Sequence, residues 1–254
     1  MKKAISLLFI ILMISCSKDK DNTSLSYEIL NVYPHNTSYF TQGFEFYNGI
    51  LFEGTGQYNR SKLIKYDLYS GEIFGRVDLP SSYFGEGITV MNGKVYQLTW
   101  FAGKCFIYDS DTLEKTGEFS YYGEGWGLCN DGENLIMSNG TSTILFRDPH
   151  DFSVRRSISV KESSGNYVNR INELEYVEGR IFANIWEYDD IIEIDPETGV
   201  IKGRYDLSDL RKTALKKNPK SDVLNGIAYK NGSFFVTGKY WPYIFELILE
   251  GGYR

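Results

Sequence analysis

The chain has 254 residues with 20 Tyr, 16 Phe and 25 Gly against only 6 Pro, a balance that suits one large strand-rich and turn-rich domain. Its formal charge of −6, without a long basic run, argues against nucleic acid as a partner. With only His35 and His150 and no CxxC pair, a His-ligated zinc site or a His-dependent triad has little support, and no metal is expected in the chemistry.

In chain order, Lys2 and Lys3 precede the apolar run "AISLLFIILMI", too short to span a bilayer, so residues 1–15 read as a signal peptide. The "MISC" end resembles a bacterial lipobox. Cys16 is therefore expected to be lipidated and to anchor the chain in a bacterial cell envelope, on its periplasmic or outer face, with membrane contact through the lipid alone. Residues 16–25, with the polar run "SKDKDNTS", read as a flexible tether. Cys105 and Cys129 fall in strand-like runs and are expected in the core; an exported chain could pair them, and sequence does not fix that geometry.

A lone strand, "SYEILNVYPH" at 26–35, comes before five copies of one unit. The copies begin "QGFEFYNGILFEGT" at 42, "EGITVMNGKVYQLTW" at 86, "WGLCNDGENLIMSN" at 126, "NELEYVEGRIFANIW" at 172 and "NGIAYKNGSFFVTGK" at 225. Each is a strand, an X-Gly turn (Asn48-Gly49, Asn92-Gly93, Asp131-Gly132, Glu178-Gly179, Asn231-Gly232) and a second strand, the strongest short-range hairpin signal. Third strands follow, four of them ending in a turn-forming Asp (67, 109, 148, 195), and then fourth strands in every copy but the last. The copies are spaced by 44, 40, 46 and 53 residues, and four-stranded units at such a period are propeller blades. The long last interval holds "SDLRKTALKKNPKSD" at 208–222, read as a short helical insertion beginning at Ser208. The prediction is an all-β, five-bladed β-propeller of four-stranded antiparallel blades over residues 26–254. The N-terminal strand completes the fifth blade and removes an exposed edge.

In such a meander the start of strand one and the end of strand two lie at the same end, and strand one lines the central channel. Gln42, Glu86, Trp126, Asn172 and Asn225 should therefore ring the channel mouth. Thr55, Trp100, Asn139, Trp186 and Lys239 should surround them, with Glu124 and Trp241 close by, so that all four tryptophans share one rim. Taken singly, a Trp there packs blades and a Gly-flanked acid bonds turn amides. Taken together, the set reads as an apolar pocket with a few converging polar groups.

These segments carry a resemblance. "YFTQGFEF" at 39–46, "FGEGIT" at 84–89, "QLTW" at 97–100, "GEGWGL" at 123–128, "INELEY" at 171–176, "ANIW" at 183–186 and "VTGKYWP" at 236–242 resemble the plant-type glutaminyl-peptide cyclotransferases, across roughly residues 27–249. The resemblance implies a five-bladed propeller that converts the N-terminal glutamine of a peptide or protein to pyroglutamate with release of ammonia. It also implies a pocket of Phe40, Gln42, Phe84, Glu86, Trp100, Trp126, Asn172, Trp186 and Lys239. Departures from the family pattern lie in the leader and a short C-terminus.

The implied reaction is an attack of the substrate's α-amine on its own side-chain amide, so no enzyme nucleophile or cofactor is required. A structural cation in the channel stays open. Glu86 is the candidate proton shuttle, Lys239 and Asn172 (with Gln42) are candidate donors to the oxyanion or the carboxamide, and the tryptophans form the slot. No oligomer interface is marked, and a monomer is expected. The rival reading is a non-catalytic envelope propeller that binds a peptide or sugar on its aromatic rim; the fold alone does not choose between them.

Overall fold

The computed structural model describes residues 24–251. The expected signal peptide and Cys16 lie outside the described residues. The tether reading is corrected at its last two positions. Ser24–Leu25 form a short strand, β1, rather than loose chain. Leu25 pairs with Tyr205, and its side chain has a seat because nearby Gly203 has none; a Cβ there would lie 2.7 Å from Leu25 Cδ1.

The lone strand β2 (Tyr27–Pro34) precedes blade 1, made of β3 (Thr41–Tyr47), β4 (Ile50–Thr55), β5 (Lys62–Tyr66) and β6 (Ile73–Asp78). Blade 2 is β7 (Gly85–Met91), β8 (Lys94–Thr99), β9 (Lys104–Asp109) and β10 (Lys115–Ser120). Blade 3 is β11 (Leu128–Asn130), β12 (Leu135–Ser138), β13 (Thr143–Arg147) and β14 (Val154–Ser159). Blade 4 is β15 (Ile171–Val177), β16 (Arg180–Ile185), β17 (Asp190–Ile194) and β18 (Ile201–Asp206), with β1 added in parallel outside β18. After helix α1 (Ser208–Lys217), blade 5 is β19 (Leu224–Lys230), β20 (Ser233–Gly238) and β21 (Tyr243–Leu249), with β2 antiparallel to β21 as its fourth strand. The expected five blades and their closure by the N-terminal strand are present.

Local chemistry accounts for the corners. Four of the X-Gly hairpins have both turn residues at positive φ, as at Asn92 (53°) and Gly93 (74°), the backbone twist a two-residue hairpin needs. The third copy differs. The Asp131 carboxylate accepts the amides of Glu133 and Asn134, so a longer side-chain-capped loop replaces the two-residue turn. Asp109 and Asp195 at the ends of third strands likewise accept amides two and three residues on.

Burial follows position in the blade. The innermost strand β7 is buried throughout, whereas the outer strands β6 and β10 are largely exposed, with every second residue half-buried. Apolar clusters fill the seams between blades. Cys105 and Cys129 are free thiols buried in two different clusters, as expected for core residues. Leu210 and Ala214 of α1 pack into the seam beside blade 5 with Trp241 and Leu224.

The innermost strands β3, β7, β11, β15 and β19 contact one another in a closed ring. Their inner edges have no further strand to pair with, so side chains take the backbone groups. Glu173 Oε1 and Oε2 accept the amides of Phe44 (3.2 Å) and Ile227 (2.8 Å), joining blade 4 to blades 1 and 5. Glu175 accepts from Tyr229 N and Glu45 from Val90 N. Burial pushes all three carboxyls upward, Glu45 to about 8. A second polar link stands where the chain ends meet. The buried His35 ring bonds Trp241 O and Glu53, and Glu53 also accepts from Thr41 and Tyr66. Burial opposes a charge on His35, but the charge and hydrogen bond of Glu53, with the bond to Trp241 O, together raise the imidazole above its ordinary value.

The stitch at Glu173 is testable. Glu173→Leu strands two buried amides and is expected to cost about 2–5 kcal/mol in denaturant unfolding, and Glu173→Gln, which keeps one acceptor, distinctly less. Equal losses for the two variants would show that packing, not amide pairing, sets the cost.

Candidate active site

The site is built on a repeated irregularity. In blades 1, 2, 4 and 5 the register between the first two strands slips at the same place, within the first residues of the inner strand. Thr41 pairs with Thr55 and Gly43 with Gly54; Gly85 pairs with Thr99 but Ile88 with Gln97; the same slip follows Ile171 and Leu224. Each slip is a bulge that frees one extra residue, and bulges re-aim side chains. The freed positions include Gln42, Glu86, Asn172 and Asn225. Glycines allow the neighbouring inner strands to close up behind them. A Cβ on Gly127 would lie 2.0 Å from Asn172 O, and one on Gly87 2.5 Å from Leu128 N.

A cavity of about 170 Å³ opens here, well below the roughly 300–1,000 Å³ of a drug-sized pocket and suited to one side chain. Nine side chains line it: Phe40, Gln42 and Lys239 from the seam of blades 1 and 5, Phe84, Glu86 and Trp100 from blade 2, and Trp126, Asn172 and Trp186 from blades 3 and 4. Every residue predicted for the pocket is therefore in one wall. The rings meet edge to face: Phe40 and Phe84 at 6.0 Å, Phe84 and Trp100 at 5.5 Å, Trp126 and Trp186 at 5.6 Å.

An acid and a base are held together in this apolar wall. Glu86 and Lys239 are each only 4% exposed. Burial pushes the Glu86 carboxyl well above its ordinary value, against the opposing pull of Lys239 and a hydrogen bond from Gln42. Burial also pushes the Lys239 ammonium down to about 8, against the pull of Glu86 and then Asp222. Lys239 Nζ stands 4.6 Å from the centre of the Phe40 ring. Asn225 orients the neighbour: its amide donates to Gln42 Oε1 at 3.2 Å, which leaves the Gln42 amide nitrogen for Glu86. Asn172 Oδ1 is buried without a partner among the described residues, an acceptor left for a ligand. Among the described residues no three His, Cys, Asp or Glu side chains are grouped as metal ligands.

Not all of the expected rim faces the cavity. The Asn225 amide nitrogen donates to Thr41 O and Gln42 Oε1, Thr55 accepts from Lys62 N, and Asn139 caps Thr141. Trp241 is corrected from rim to core. It is fully buried, with Nε1 donating to Asp222 O, because the 208–222 insertion folds over it. Glu124 does not line the cavity, yet its Oε2 accepts both the Trp100 and Trp126 indoles, at 2.7 and 2.9 Å. Spacing placed it near Trp126 but not on Trp100, which lies across a blade seam. Asp222, whose charge acts on Lys239, had no sequence signal because it arrives on the insertion.

Residues 4–249 match the family model described as glutamine cyclotransferase. The chain belongs to the glutamine cyclotransferase family. It is 37% identical over 228 residues to the glutaminyl-peptide cyclotransferase of Arabidopsis thaliana, covering 88% of this chain and 71% of that one. It superposes on the crystal structure of Myxococcus xanthus glutaminyl cyclase with a TM-score of 0.83 and 38% identity, over 89% of this chain and 97% of that one. The WD40 propeller domain of Doa1, at 13% identity and a TM-score of 0.50 over 80% of this chain and 62% of that one, shares the fold alone.

In this family member Lys239 gives a stability test with a definite sign. Its folded pKa of about 8 lies below the ordinary 10.5, so the folded state binds fewer protons between those values and stability rises with pH across that window. Lys239→Met is expected to lose that rise and to melt higher than the parent at neutral pH. A parent-like pH slope in the variant would show that the ammonium is not desolvated.

Proposed function

We propose that the cavity holds the N-terminal glutamine of a peptide or protein and closes it to pyroglutamate. The observation that carries this reading is the buried Glu86–Lys239 pair in an aromatic cavity sized for one side chain. The α-amine nitrogen bonds to the side-chain amide carbon, the bond from that carbon to the amide nitrogen breaks, and ammonia leaves. Nucleophile and leaving group both belong to the substrate, so the pocket has only to hold the folded conformer and move protons.

Glu86 takes the proton that the amine sheds and passes it to the departing nitrogen. Burial raises the Glu86 carboxyl well above its ordinary value, toward the proton affinity of an amine, which suits a group that must both take a proton and give it back. Lys239 faces the oxygen that becomes negative, and the unpartnered Asn172 oxygen accepts from the substrate amine or carboxamide. Phe40, Phe84, Trp100, Trp126 and Trp186 exclude water and fix the slot. No step calls for a cofactor or metal. Residues 1–15 and Cys16 support anchoring in the bacterial cell envelope through lipid, and the enzyme is read as a monomer acting on peptide substrates.

The test is ammonia release and the matching mass loss from a short Gln-initiated peptide, with and without a chelator. Glu86→Gln is expected to lose on the order of 10²-fold or more in kcat while still melting cooperatively. Near-normal turnover in that variant would remove Glu86 from the shuttle. Saturable peptide or sugar binding without ammonia, from folded protein, would favour a binding rim instead.

A further inference from the structure

Glu124 lies in the loop between β10 and β11, half-buried behind the cavity wall. One of its oxygens takes both indole N–H groups at the seam of blades 2 and 3, Trp100 Nε1 at 2.7 Å and Trp126 Nε1 at 2.9 Å. An indole has a single donor and no acceptor, so this bond decides how the ring is turned about its side chain. A charged acceptor makes each bond about twice as strong as a neutral one. The loop itself is tied to the same ring's backbone, because Gly125 N donates to Trp100 O at 3.2 Å. Trp126 lies against Gly140, where a Cβ would come within 2.6 Å of the ring, and meets Trp186 edge-on. Trp100 is backed by Phe101, with ring centres 4.0 Å apart.

We propose that Glu124 is the positioning residue of the slot, joining Trp100 and Trp126 into one wall and so setting the width that a glutamine side chain must fit. The proposal rests on the cyclase reading for the identity of that side chain. Glu124 acts through the indoles and not on the substrate, since it does not line the cavity. Its charge has a second consequence. Glu86 interacts with Lys239, Gln42, Glu124 and, through its charge, the Tyr121 hydroxyl; after burial, the Glu124 carboxylate is the group that raises the Glu86 carboxyl, against Lys239 and Gln42.

The experiment compares the parent with Glu124→Gln and Glu124→Leu by indole NH resonances, peptide kinetics and pH profile. In the parent, the Trp100 and Trp126 indole protons should resonate downfield, assigned with Trp→Phe variants. Glu124→Leu should return both to the free-indole position and raise KM about tenfold or more for a Gln peptide. Glu124→Gln keeps an acceptor oxygen, so KM should stay near the parent value. Its acid limb of kcat/KM should move to lower pH, because Glu86 loses a negative neighbour. Parent-like resonances and KM in Glu124→Leu would overturn the proposal, as would a Glu124→Gln enzyme with the same KM defect as Glu124→Leu. If Glu124→Leu does not fold, the Glu124→Gln pH shift and resonances decide. If the parent releases no ammonia, the cyclase reading fails separately, and the indole resonances still decide whether Glu124 holds the wall.

Discussion

The constraint on which the structure depends is the unpaired inner edge of five sheets. Each blade ends on an inner strand that packs against the inner strands of its neighbours around the axis but forms no ladder with them. Backbone amides cannot be buried unpaired. The chain answers with acidic side chains on the axis: Glu173 takes amides from two other blades, and Glu175 and Glu45 take one each. A carboxyl is the economical acceptor, since it offers two oxygens to two different strands.

The same crowding produces the site. At the start of the inner strands four of the five blades bulge, and glycines such as Gly87 and Gly127 let backbone press on backbone. The extra residue of each bulge has no place in the ladder, and at Gln42, Glu86 and Asn172 its side chain lines the cavity. Glu86 and Asn172 come from those positions, and Lys239 follows directly on the end of a second strand. A structural necessity thus delivers polar groups to a place walled by aromatic rings.

That placement costs stability. A carboxyl and an ammonium buried together pull each other toward charge, while burial drives both toward neutrality, and here burial wins for both. The protein tolerates the cost because the seams between blades are apolar and the ring is locked, by β2 on β21 and by His35 on Glu53 and Trp241. Displaced proton affinities in a cleft are the mark of a working site rather than a stabilising one.

Sequence alone determined the blade count, the closing strand and the helix start at Ser208. Apolar strands, X-Gly turns and a repeat in the forties are local signals, and the repeat carries each position to its equivalent in the next blade, which put Glu86, Trp100, Trp126, Asn172, Trp186 and Lys239 on one rim; Phe40 and Phe84 came from the family resemblance. It could not decide what crosses a seam. Glu124 looked like a rim residue near Trp126, and only the packing of blade 2 on blade 3 gave it Trp100 as well. Trp241 shares its neighbourhood with Lys239 in sequence, yet the 208–222 insertion buries the indole and leaves the ammonium in the cavity. Ser24–Leu25 continue a polar leader, and their pairing with β18 depends on a gap left by Gly203. Repeats fix where a residue stands along its own strand; which neighbour it meets, and how far water is excluded there, are properties of blades pressed together.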